Sequence, residues 1–567
     1  MIILSKLTGA DIICECLIEQ GVDTVFGYPG GAVLNIYDSL YKYSDKITHI
    51  LTAHEQGASH AADGYARASG RTGVVIATSG PGATNLVTGI ATAYMDSVPM
   101  VAITGNVACA LLGLDSFQEV DITGITMPIT KHNFIVKDVN KLADTIREAF
   151  YIANEGRKGP VLIDVPKDIT AHVAEFANKP IKPVTVKTGL HQDDCIQKAA
   201  EMIKESARPY IYCGGGINSE HGAAALKVFA KLVDAPVSSS LMAQGCFDQT
   251  DEHYIGMLGM HGTATAAKAL SECDLFIAVG TRFSDRVIGD PNTFAKKAKV
   301  LHIDVDPAEI NKNIPAYHKV IGDSADVLEK LSHLLTQQSH TDWINEICRS
   351  GKELNVKQQG TAELDLTPQQ LIETLDRLTD GEAVICTEVG QAQMWAAQYY
   401  KYKHPRQLVT SGGLGTMGFG LGASIGSKCA LPKRTVINIA GDGSFHMNLN
   451  ELVTLSKHNI RVIELVVNNS VLGMVRQWQR LFYDKHFSQT TLDRPTDYVK
   501  LGEAFGIKSF SLTKAADCEE VLKQALEISE TAPVLIEARI DRDINVLPMV
   551  PAGKPISEPI LDIEIDD

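Results

Sequence analysis

Short apolar runs alternate with longer segments of helical periodicity along most of the 567 residues. The runs are rich in β-branched residues and are often followed by glycine, proline or asparagine, so they predict buried strands. These runs are residues 24–26, 48–51, 73–77, 100–104, 161–165, 210–213, 275–279, 300–303, 435–440 and 460–467. Strands that alternate with helices form parallel sheets, so the chain is predicted to be α/β with doubly wound parallel-sheet domains.

Two interruptions of this alternation divide the chain into three blocks. Residues 172–190 contain two prolines and are predicted to be a linker, and the polar stretch 336–366 is predicted to be a helix with a connector. The predicted domains are residues 1–171, 191–335 and 367–545. Residues 546–567 contain four prolines and no periodicity, which predicts a tail that folds over the functional site.

The last two predicted strands flank a helical segment that Asn448 and Glu451 are expected to cap. A strand–helix–strand crossover makes the two strands parallel. Their following loops then emerge at the carboxyl edge of the sheet, where open α/β sheets bind ligands. Asp442 and Asn469, which follow these strands, are therefore expected to meet.

Asp442 and Asn469 are candidate metal ligands. A carboxylate, an amide oxygen and a loop carbonyl suit Mg²⁺, which prefers octahedral oxygen coordination completed by water and phosphate. Gly441 and Gly443 would let the backbone approach a diphosphate closely. The alternative is an ordinary turn with a hydrated aspartate.

Glu55 is predicted to begin a helix, because residues 52–67 follow a strand-like run. Its neighbours are small or apolar, so burial would raise the pKa of its carboxyl group towards neutrality. The alternative is a first-turn acid that is favourable to the helix dipole.

Composition narrows the class of protein. The net charge of −16 argues against nucleic acid or an anionic membrane as the main partner. The 11 cysteines show no CxxC spacing, which predicts reduced thiols in a cytoplasmic protein. No signal-peptide pattern and no run of 18 apolar residues are found, so no membrane span is expected.

A second glycine pattern leaves a competing interpretation open. Gly413, Gly415 and Gly418 satisfy GxGxxG, and Asp442 follows 24 residues after Gly418. This spacing is close to a dinucleotide-binding fingerprint, so an NAD-dependent dehydrogenase is an alternative for the third block. The acid, however, lies within GDGS, and the next strand ends in Asn-Asn, which a dehydrogenase does not require.

Several motifs together resemble one enzyme family. GDG, 24 intervening residues and NN are similar to the thiamine-diphosphate motif. The other matching segments are HEQ at 54–56, YPGG at 28–31, TSGPGATN at 78–85, FQE at 117–119, GGLGTMG at 412–418 and GMVRQW at 473–478. Over almost the whole chain, this set resembles the large, catalytic subunits of acetohydroxyacid synthases.

The resemblance implies thiamine diphosphate and Mg²⁺ in the first and third blocks. The implied metal ligands are Asp442, Asn469 and the main-chain carbonyl of Val471, and Glu55 would hydrogen-bond the pyrimidine ring of the cofactor. The remaining implied cofactor positions are the carbonyl of Gly415, the side chain of Met417 that bends the cofactor, and the diphosphate turn of Gly441, Gly443 and Ser444.

The resemblance also implies FAD in the central block. The matching positions are Arg157, Gly214, Gly216, Leu241, Gly280, Arg282, Asp304 and Asp323. Ser284 departs from the family, which commonly has a second aspartate in its RFDDR motif, and Ala108 stands where a proline is common beside the access channel.

The implied reaction is decarboxylation of pyruvate, followed by addition of the hydroxyethyl unit to a second pyruvate or to 2-ketobutyrate. This is the first common step of branched-chain amino-acid biosynthesis. Gln118 and Gly31 would lie near the reacting centre and Lys167 near the substrate channel. Arg286 would pair with the acceptor carboxylate and Trp478 would shape the acceptor pocket. Without the resemblance, these last two would be a surface ion pair and a core aromatic.

The expected partners follow from the same resemblance. The first block of one chain would face the third block of another, giving a homodimer or homotetramer, and a separate small subunit would regulate activity. The alternatives are an FAD-dependent pyruvate oxidase, a catabolic acetolactate synthase of the same fold and a non-catalytic thiamine-fold binding protein, which should lack Glu55.

Overall fold

The computed structural model describes residues 5–184, 192–351 and 364–563. These residues form three six-stranded parallel sheets and one two-stranded antiparallel sheet. Inner strands such as residues 73–77 are buried at every position, so elements cover both faces of their sheet. The prediction of an α/β chain with three parallel-sheet domains is confirmed. No helix in the described ranges is long and apolar enough to cross a membrane.

In the described residues from Ser5 onwards, the first domain contains eight strands and eight α-helices. Its strands are β1 Ser5–Thr8, β2 Thr24–Tyr28, β3 Thr48–Leu51, β4 Gly73–Ala77, β5 Met100–Asn106, β6 His132–Ile135, β7 Pro160–Pro166 and β8 Val173–Phe176. Its helices are α1 Gly9–Glu19, α2 Leu34–Lys42, α3 Glu55–Ser69, α4 Pro81–Thr84, α5 Val87–Met95, α6 Ile122–Thr126, α7 Val139–Asn154 and α8 Lys167–Ala171.

The middle domain contributes six strands. These are β9 Pro209–Cys213, β10 Val237–Ser239, β11 Tyr254–Met257, β12 Leu275–Val279, β13 Lys299–Asp304 and β14 His318–Ile321. Its helices are α9 Gln192–Glu205, α10 Glu220–Val233, α11 Ala264–Glu272, α12 Asp285–Ile288, α13 Ser324–Leu334 and α14 Thr341–Gly351.

The third domain again has a six-stranded sheet. Its strands are β15 Val384–Thr387, β16 Leu408–Val409, β17 Val436–Gly441, β18 Val462–Asn468, β19 Lys508–Leu512 and β20 Val534–Arg539. Its helices are α15 Pro368–Leu378, α16 Gln391–Tyr399, α17 Gly420–Ala430, α18 Asp442–Phe445, α19 Leu452–His458, α20 Gly473–Phe482, α21 Tyr498–Ala504 and α22 Cys518–Ser529.

Strand order separates the middle sheet from the other two. The first sheet runs β3-β2-β4-β5-β7-β6 and the third runs β16-β15-β17-β18-β20-β19, so each has the order 2-1-3-4-6-5 in its own numbering. The middle sheet runs β11-β10-β9-β12-β13-β14, which is the order 3-2-1-4-5-6 of dinucleotide-binding domains. The three blocks are therefore two copies of one topology and one of another.

The predicted linker contains a strand. Strand β8 pairs antiparallel with β1, and its alternating pattern buries Ala174 and Phe176. The linker prediction is wrong for residues 173–176, because a four-residue run carries too little periodicity to be recognised in sequence. In the polar stretch after the middle domain, the predicted helix is confirmed at α14, whereas residues 185–191, 352–363 and 564–567 lie outside the described ranges.

Helices α3 and α17 join the first and third domains. Glycines allow their backbones to touch: a Cβ on Gly64 would lie 2.1 Å from the carbonyl oxygen of Ala423, and one on Gly426 would lie 1.8 Å from that of Ala61. Nearly the whole of α3 is buried. The start of this helix, where Glu55 lies, is therefore held by both domains.

Candidate active site

The carboxyl edge of the third sheet brings Asp442 and Asn469 together. Strands β17 and β18 are neighbours, with Gly441 paired to Val467, so the residues that follow emerge side by side. Asp442 is buried, which raises the pKa of its carboxyl to about 7, and it accepts a hydrogen bond from the backbone of Asn469. The Asn469 side-chain oxygen in turn accepts from the backbone N–H of Val471 (3.2 Å). A carboxylate, an amide oxygen and main-chain oxygens thus follow two neighbouring strands, and this donor set fits Mg²⁺.

Glu388 is a buried acid in this edge that the sequence analysis did not identify. It follows β15 and accepts hydrogen bonds from the Ser444 hydroxyl (2.7 Å) and from the backbone N–H groups of Gly418 (2.7 Å) and Gly420 (2.8 Å). It thereby ties the GDGS turn to residues 411–418, which we call the glycine loop. The signal in the sequence was an acid placed directly after a buried apolar run.

The glycine loop is open at the position expected to meet the cofactor. Gly415 has φ +68°, a conformation that favours glycine, and the nearest atom to an added Cβ would be 4.0 Å away. Met417 is half-buried beside it. The loop therefore presents a backbone carbonyl and a bulky side chain at an accessible surface.

Asn448 and Glu451 do not cap α19, so that prediction is wrong. The Asn448 amide donates instead to the carbonyl of Gly418 (2.6 Å). The Glu451 carboxylate accepts from the backbone N–H groups of Ala53 and His54, each at 3.0 Å. Both side chains serve contacts with distant segments, which local sequence spacing does not encode.

Glu55 is the first residue of α3 and is only 9% exposed. Its Oε2 accepts a hydrogen bond from the Asn85 amide (2.9 Å), and a Cβ on Gly82 would lie 3.2 Å from its Oε1. The helix start and the burial that the sequence predicts for Glu55 are thus both present. The TSGPGATN segment at 78–85 forms one wall around this carboxylate.

Three further predicted residues lie along the same edge of the first sheet. Gly31 lies in the segment after β2 and is exposed, and Lys167 follows β7 directly and is exposed. Gln118 has φ +59°, a conformation that few non-glycine residues adopt, and its carbonyl would lie 2.8 Å from a Cβ on Gly80. Strained backbone of this kind clusters at functional sites.

Arg286 and Trp478 come together from the middle and third domains. The guanidinium carbon lies 5.6 Å from the centre of the indole ring. The Arg286 side chain is 57% exposed, and the buried indole Nε1 has no hydrogen-bond partner in the described part of the chain. Next to them, Gln477 exchanges hydrogen bonds with the backbone of Val546 (2.9 and 3.0 Å), so the start of the predicted tail packs beside this pair.

Glu55 and Asp442 belong to different edges of this single chain. No hydrogen bond among the described residues joins Glu55 to residues 441–444, to 469–471 or to the glycine loop. Their domains instead meet through α3, α17 and Glu451. The two carboxylates therefore belong to separate hydrogen-bond networks, and we call each sheet edge with its carboxylate a half-site.

A cavity of about 890 Å³ lies where the three domains meet, and we call it the central cavity. Ser284 lines it, as do seven of the eight predicted flavin positions: Arg157, Gly214, Gly216, Gly280, Arg282, Asp304 and Asp323. Leu241 is the exception. Its neighbours Ser240 and Met242 line the cavity, whereas Leu241 packs against the core of the third domain. Its apolar side chain is removed from water by packing against that core.

The walls of the central cavity fit a dinucleotide. Gly214 follows β9 and Gly280 follows β12, the two strands at which the order of the middle sheet reverses, and a Cβ on Gly214 would lie 2.3 Å from the Gly280 carbonyl. Burial raises the pKa of Asp304, at the end of β13, to about 6. Glu309 accepts from Arg157 (2.6 Å) through Oε1, while its buried Oε2 has no protein partner among the described residues. An acceptor of this kind suits a ligand hydroxyl or amine.

The topology does not support a dehydrogenase in the third block. A dinucleotide fingerprint places its glycine turn after the first, central strand and its acid after the neighbouring strand. Here the glycine loop follows β16, an edge strand, and β15 separates β16 from β17, the strand before Asp442. The GxGxxG pattern therefore does not follow the central strand that a dinucleotide-binding site requires.

Comparison with known proteins agrees with this arrangement. Family models match in three segments: a thiamine pyrophosphate enzyme N-terminal TPP-binding domain at 7–125, a central domain at 196–331 and a C-terminal TPP-binding domain at 388–538. The acetolactate synthase large subunit of Buchnera aphidicola is 44% identical over 97% of this chain and 98% of its own.

Two further organisms provide similar relatives. The probable acetolactate synthase large subunit of Methanocaldococcus jannaschii is 45% identical over 99% of this chain and 96% of its own. The acetolactate synthase large subunit of Corynebacterium glutamicum is 44% identical over 98% of this chain and 90% of its own. All three domain models match, and the relatives are 44–45% identical over nearly the whole chain. The chain therefore belongs to the acetolactate synthase large-subunit family of thiamine-pyrophosphate enzymes.

Proposed function

We propose that this chain decarboxylates pyruvate and joins the remaining two-carbon unit to a second pyruvate or to 2-ketobutyrate. The products are 2-acetolactate and 2-aceto-2-hydroxybutyrate, precursors of valine, leucine and isoleucine. The observation that carries this proposal is identity of 44–45% over 97–99% of the chain to relatives named acetolactate synthase large subunit. The residues of the two half-sites are proposed to carry out this chemistry.

The third-domain edge is proposed to hold thiamine diphosphate through Mg²⁺. Asp442, Asn469 and the carbonyl of Val471 would bind the metal, and the backbone of residues 441–444 would receive the diphosphate. The Ser444 hydroxyl already donates to Glu388, so Ser444 would contribute its backbone N–H or accept at Oγ. When bound, thiamine diphosphate supplies an electron sink for the carbon that loses carbon dioxide.

Glu55 is proposed to hold and exchange a proton at the pyrimidine ring nitrogen of the cofactor. Burial of Glu55 and the hydrogen bond that its Oε2 accepts from Asn85 (2.9 Å) restrict the orientation of the carboxyl group. The Gly415 carbonyl would accept from the cofactor amine, and Met417 would pack under the ring junction. Gln118 and Gly31 would border the reacting centre from the first domain, with Lys167 further out towards the channel.

Arg286 and Trp478 are proposed to bind the acceptor. A guanidinium group can donate two parallel hydrogen bonds to a carboxylate, and here it lies over an indole that offers apolar area at low entropic cost. The carboxylate of the second 2-ketoacid would meet Arg286 and its alkyl end would meet Trp478. The adjacent tail residue Val546 would help to exclude water from this pocket.

The central cavity is proposed to bind FAD. The glycines 214, 216 and 280 would admit the diphosphate, Arg157 and Arg282 would offset its charge, and Asp304 and Asp323 would accept from sugar or base donors. The condensation involves no net oxidation or reduction. The flavin would therefore act here by filling the central cavity and stabilising the conformation of its walls rather than by carrying electrons.

Assembly is proposed to complete the site. Because Glu55 and Asp442 lie in separate half-sites, a homodimer that places the first domain of one chain against the third domain of another would close two sites. The relatives are named large subunits, which supports a separate small regulatory subunit. Adding that subunit should raise activity and confer valine inhibition, whereas a fully active and insensitive chain would favour a catabolic enzyme.

The experiment is an assay of the purified chain with pyruvate, Mg²⁺, thiamine diphosphate and FAD. We expect acetolactate to form with release of carbon dioxide and no consumption of oxygen. A matched reaction without thiamine diphosphate should give no product. Consumption of oxygen or of a quinone without acetolactate would instead identify a pyruvate oxidase.

A further inference from the structure

The turn of residues 95–97, which begins at the last residue of α5, lies between the central cavity and the glycine loop. Together its three residues contact both. The Met95 carbonyl accepts from Arg282 (2.5 Å), the Ser97 hydroxyl accepts from Arg157 (2.8 Å), and Asp96 faces the glycine loop. Ser97 has φ +59°, so the chain reverses sharply here. No predicted role of the sequence analysis falls on this turn.

The Asp96 carboxylate is the centre of this junction. Its side chain is fully buried and accepts from Arg67 (3.0 Å) and from the backbone N–H groups of Gly412 (3.0 Å) and Gly413 (2.8 Å). A carboxylate at the end of a helix faces the negative end of the helix dipole. Its charge is therefore stable there only because the arginine and the two amides surround it.

The central-cavity side of the junction consists of three arginines. Arg67, Arg157 and Arg282 line the central cavity, as do Asp96 and Ser97. The Arg282 guanidinium lies 3.9 Å from Oδ1 of Asp96, at the limit of an ion pair. An anionic ligand in the central cavity would draw these guanidinium groups towards itself and fix them, and would thereby fix the turn that they contact.

The other side of the junction is the base of the glycine loop. A Cβ on Gly413 would lie 2.4 Å from the Met95 side chain and 2.7 Å from Oδ1 of Asp96, so the loop rests directly on the turn. A second contact, between the hydroxyls of Thr92 and Thr416 (2.7 Å), joins α5 to the loop. Residues 413–415 are otherwise exposed, so these contacts hold the first half of the loop, whereas Glu388 and Asn448 hold its other end at Gly418.

We propose that Asp96 is a positioning residue that couples occupancy of the central cavity to the placement of the glycine loop. Filling the cavity with FAD stabilises the turn, the turn holds Gly412 and Gly413, and the loop then presents Gly415 and Met417 to thiamine diphosphate. This gives the flavin a function in a reaction without electron transfer. The inference rests on the proposed function, since it assigns both ligands.

The test is a thermodynamic cycle on the full-length chain freed of cofactors. Calorimetry measures the Kd of thiamine diphosphate with Mg²⁺, in the absence of FAD and at saturating FAD. For the wild type we expect FAD to lower this Kd by a factor within the ~5–150-fold range typical of coupled sites. By linkage, thiamine diphosphate should lower the Kd of FAD by the same factor, followed through flavin fluorescence.

Asp96→Asn should bring that factor close to 1, because a neutral amide is a weaker acceptor for two backbone amides and a guanidinium. Asp63→Asn is the matched control. Asp63 is also buried on Arg67, but it lines neither the cavity nor the loop, so the wild-type factor should persist. If Asp96→Asn does not fold, Arg282→Met breaks the same link from its more exposed side and should also bring the factor close to 1.

The outcomes separate the two proposals. A wild type that binds neither ligand overturns both the proposed function and the coupling. A wild type that binds both ligands without coupling, or an Asp96→Asn chain that keeps the wild-type factor, overturns the coupling alone. If FAD also no longer changed the Kd of thiamine diphosphate in Asp63→Asn, the coupling through Asp96 would be overturned. Removal of any negative charge beside Arg67 would then explain the result.

Discussion

The first and third domains share one strand order and yet surround the buried carboxylate at the same edge with different partners. In the first, Glu55 opens a 15-residue helix and accepts from a neutral side-chain amide. In the third, Asp442 opens a four-residue helix and accepts from backbone amides beside Asn469. The shared topology delivers a buried carboxylate to the ligand edge, and the immediate partners decide whether it suits proton exchange or metal binding.

The largest expected effect is on the first of these carboxylates. Glu55→Gln keeps the shape and the burial but removes the exchangeable proton, so kcat should fall by ~10²–10⁴-fold, the usual contribution of a proton-transfer group. Calorimetric binding of thiamine diphosphate should change little. Glu148→Gln, an exposed substitution in α7, is the control. Wild-type turnover in Glu55→Gln would remove this residue from the mechanism.

Substitution of the second carboxylate, Asp442, should lower ligand affinity rather than turnover alone. Asp442→Ala should weaken Mg²⁺ and thiamine diphosphate together, by at least the ~10–100-fold that loss of an outer metal partner causes. Titration of each ligand in the presence of the other measures this effect, with the exposed third-domain Glu503→Ala as control. Unchanged affinity for thiamine diphosphate would contradict the assignment of the metal site.

The smallest effect is expected at the acceptor pocket, outside both edges. Sensing one extra methylene is worth only about 1–3 kcal/mol, and leucine keeps part of the apolar contact, so Trp478→Leu should lower the ratio of acetohydroxybutyrate to acetolactate under competing substrates by about 10-fold or less. Turnover with pyruvate alone should fall less. Phe482→Leu changes the aromatic neighbour of Trp478 on the same helix and is the control. An unaltered product ratio in Trp478→Leu would make this residue a packing residue.

Local pattern predicted those features that depend on a few consecutive residues. The strand rhythm, the parallel crossover and the meeting of Asp442 with Asn469 follow from hydrophobic runs and handedness. The flavin positions and the pair of Arg286 with Trp478 came instead from the family resemblance. Both the local pattern and the family resemblance can be read from the linear order of residues alone.

Contacts between distant segments could not be predicted in this way. Asn448 and Glu451 have the spacing of a capping box, but their side chains bind Gly418 and the backbone before α3. Strand order likewise distinguishes the middle domain from its neighbours only in space. Asp96 and Glu388 are buried acids whose partners lie tens or hundreds of residues away, so no periodicity marks them.

The central claim is that Glu55 and Asp442 act in one site that two chains form together, although no hydrogen bond among the described residues of one chain joins them. Mixing inactive Glu55→Gln chains with inactive Asp442→Ala chains under subunit exchange tests it directly. If the two half-sites combine across a symmetric dimer, half of the dimers are hybrids with one intact site each, so activity should recover to about a quarter of the wild type. Activity that stays at the level of the separate variants, with hybrid dimers shown to form, would contradict the claim.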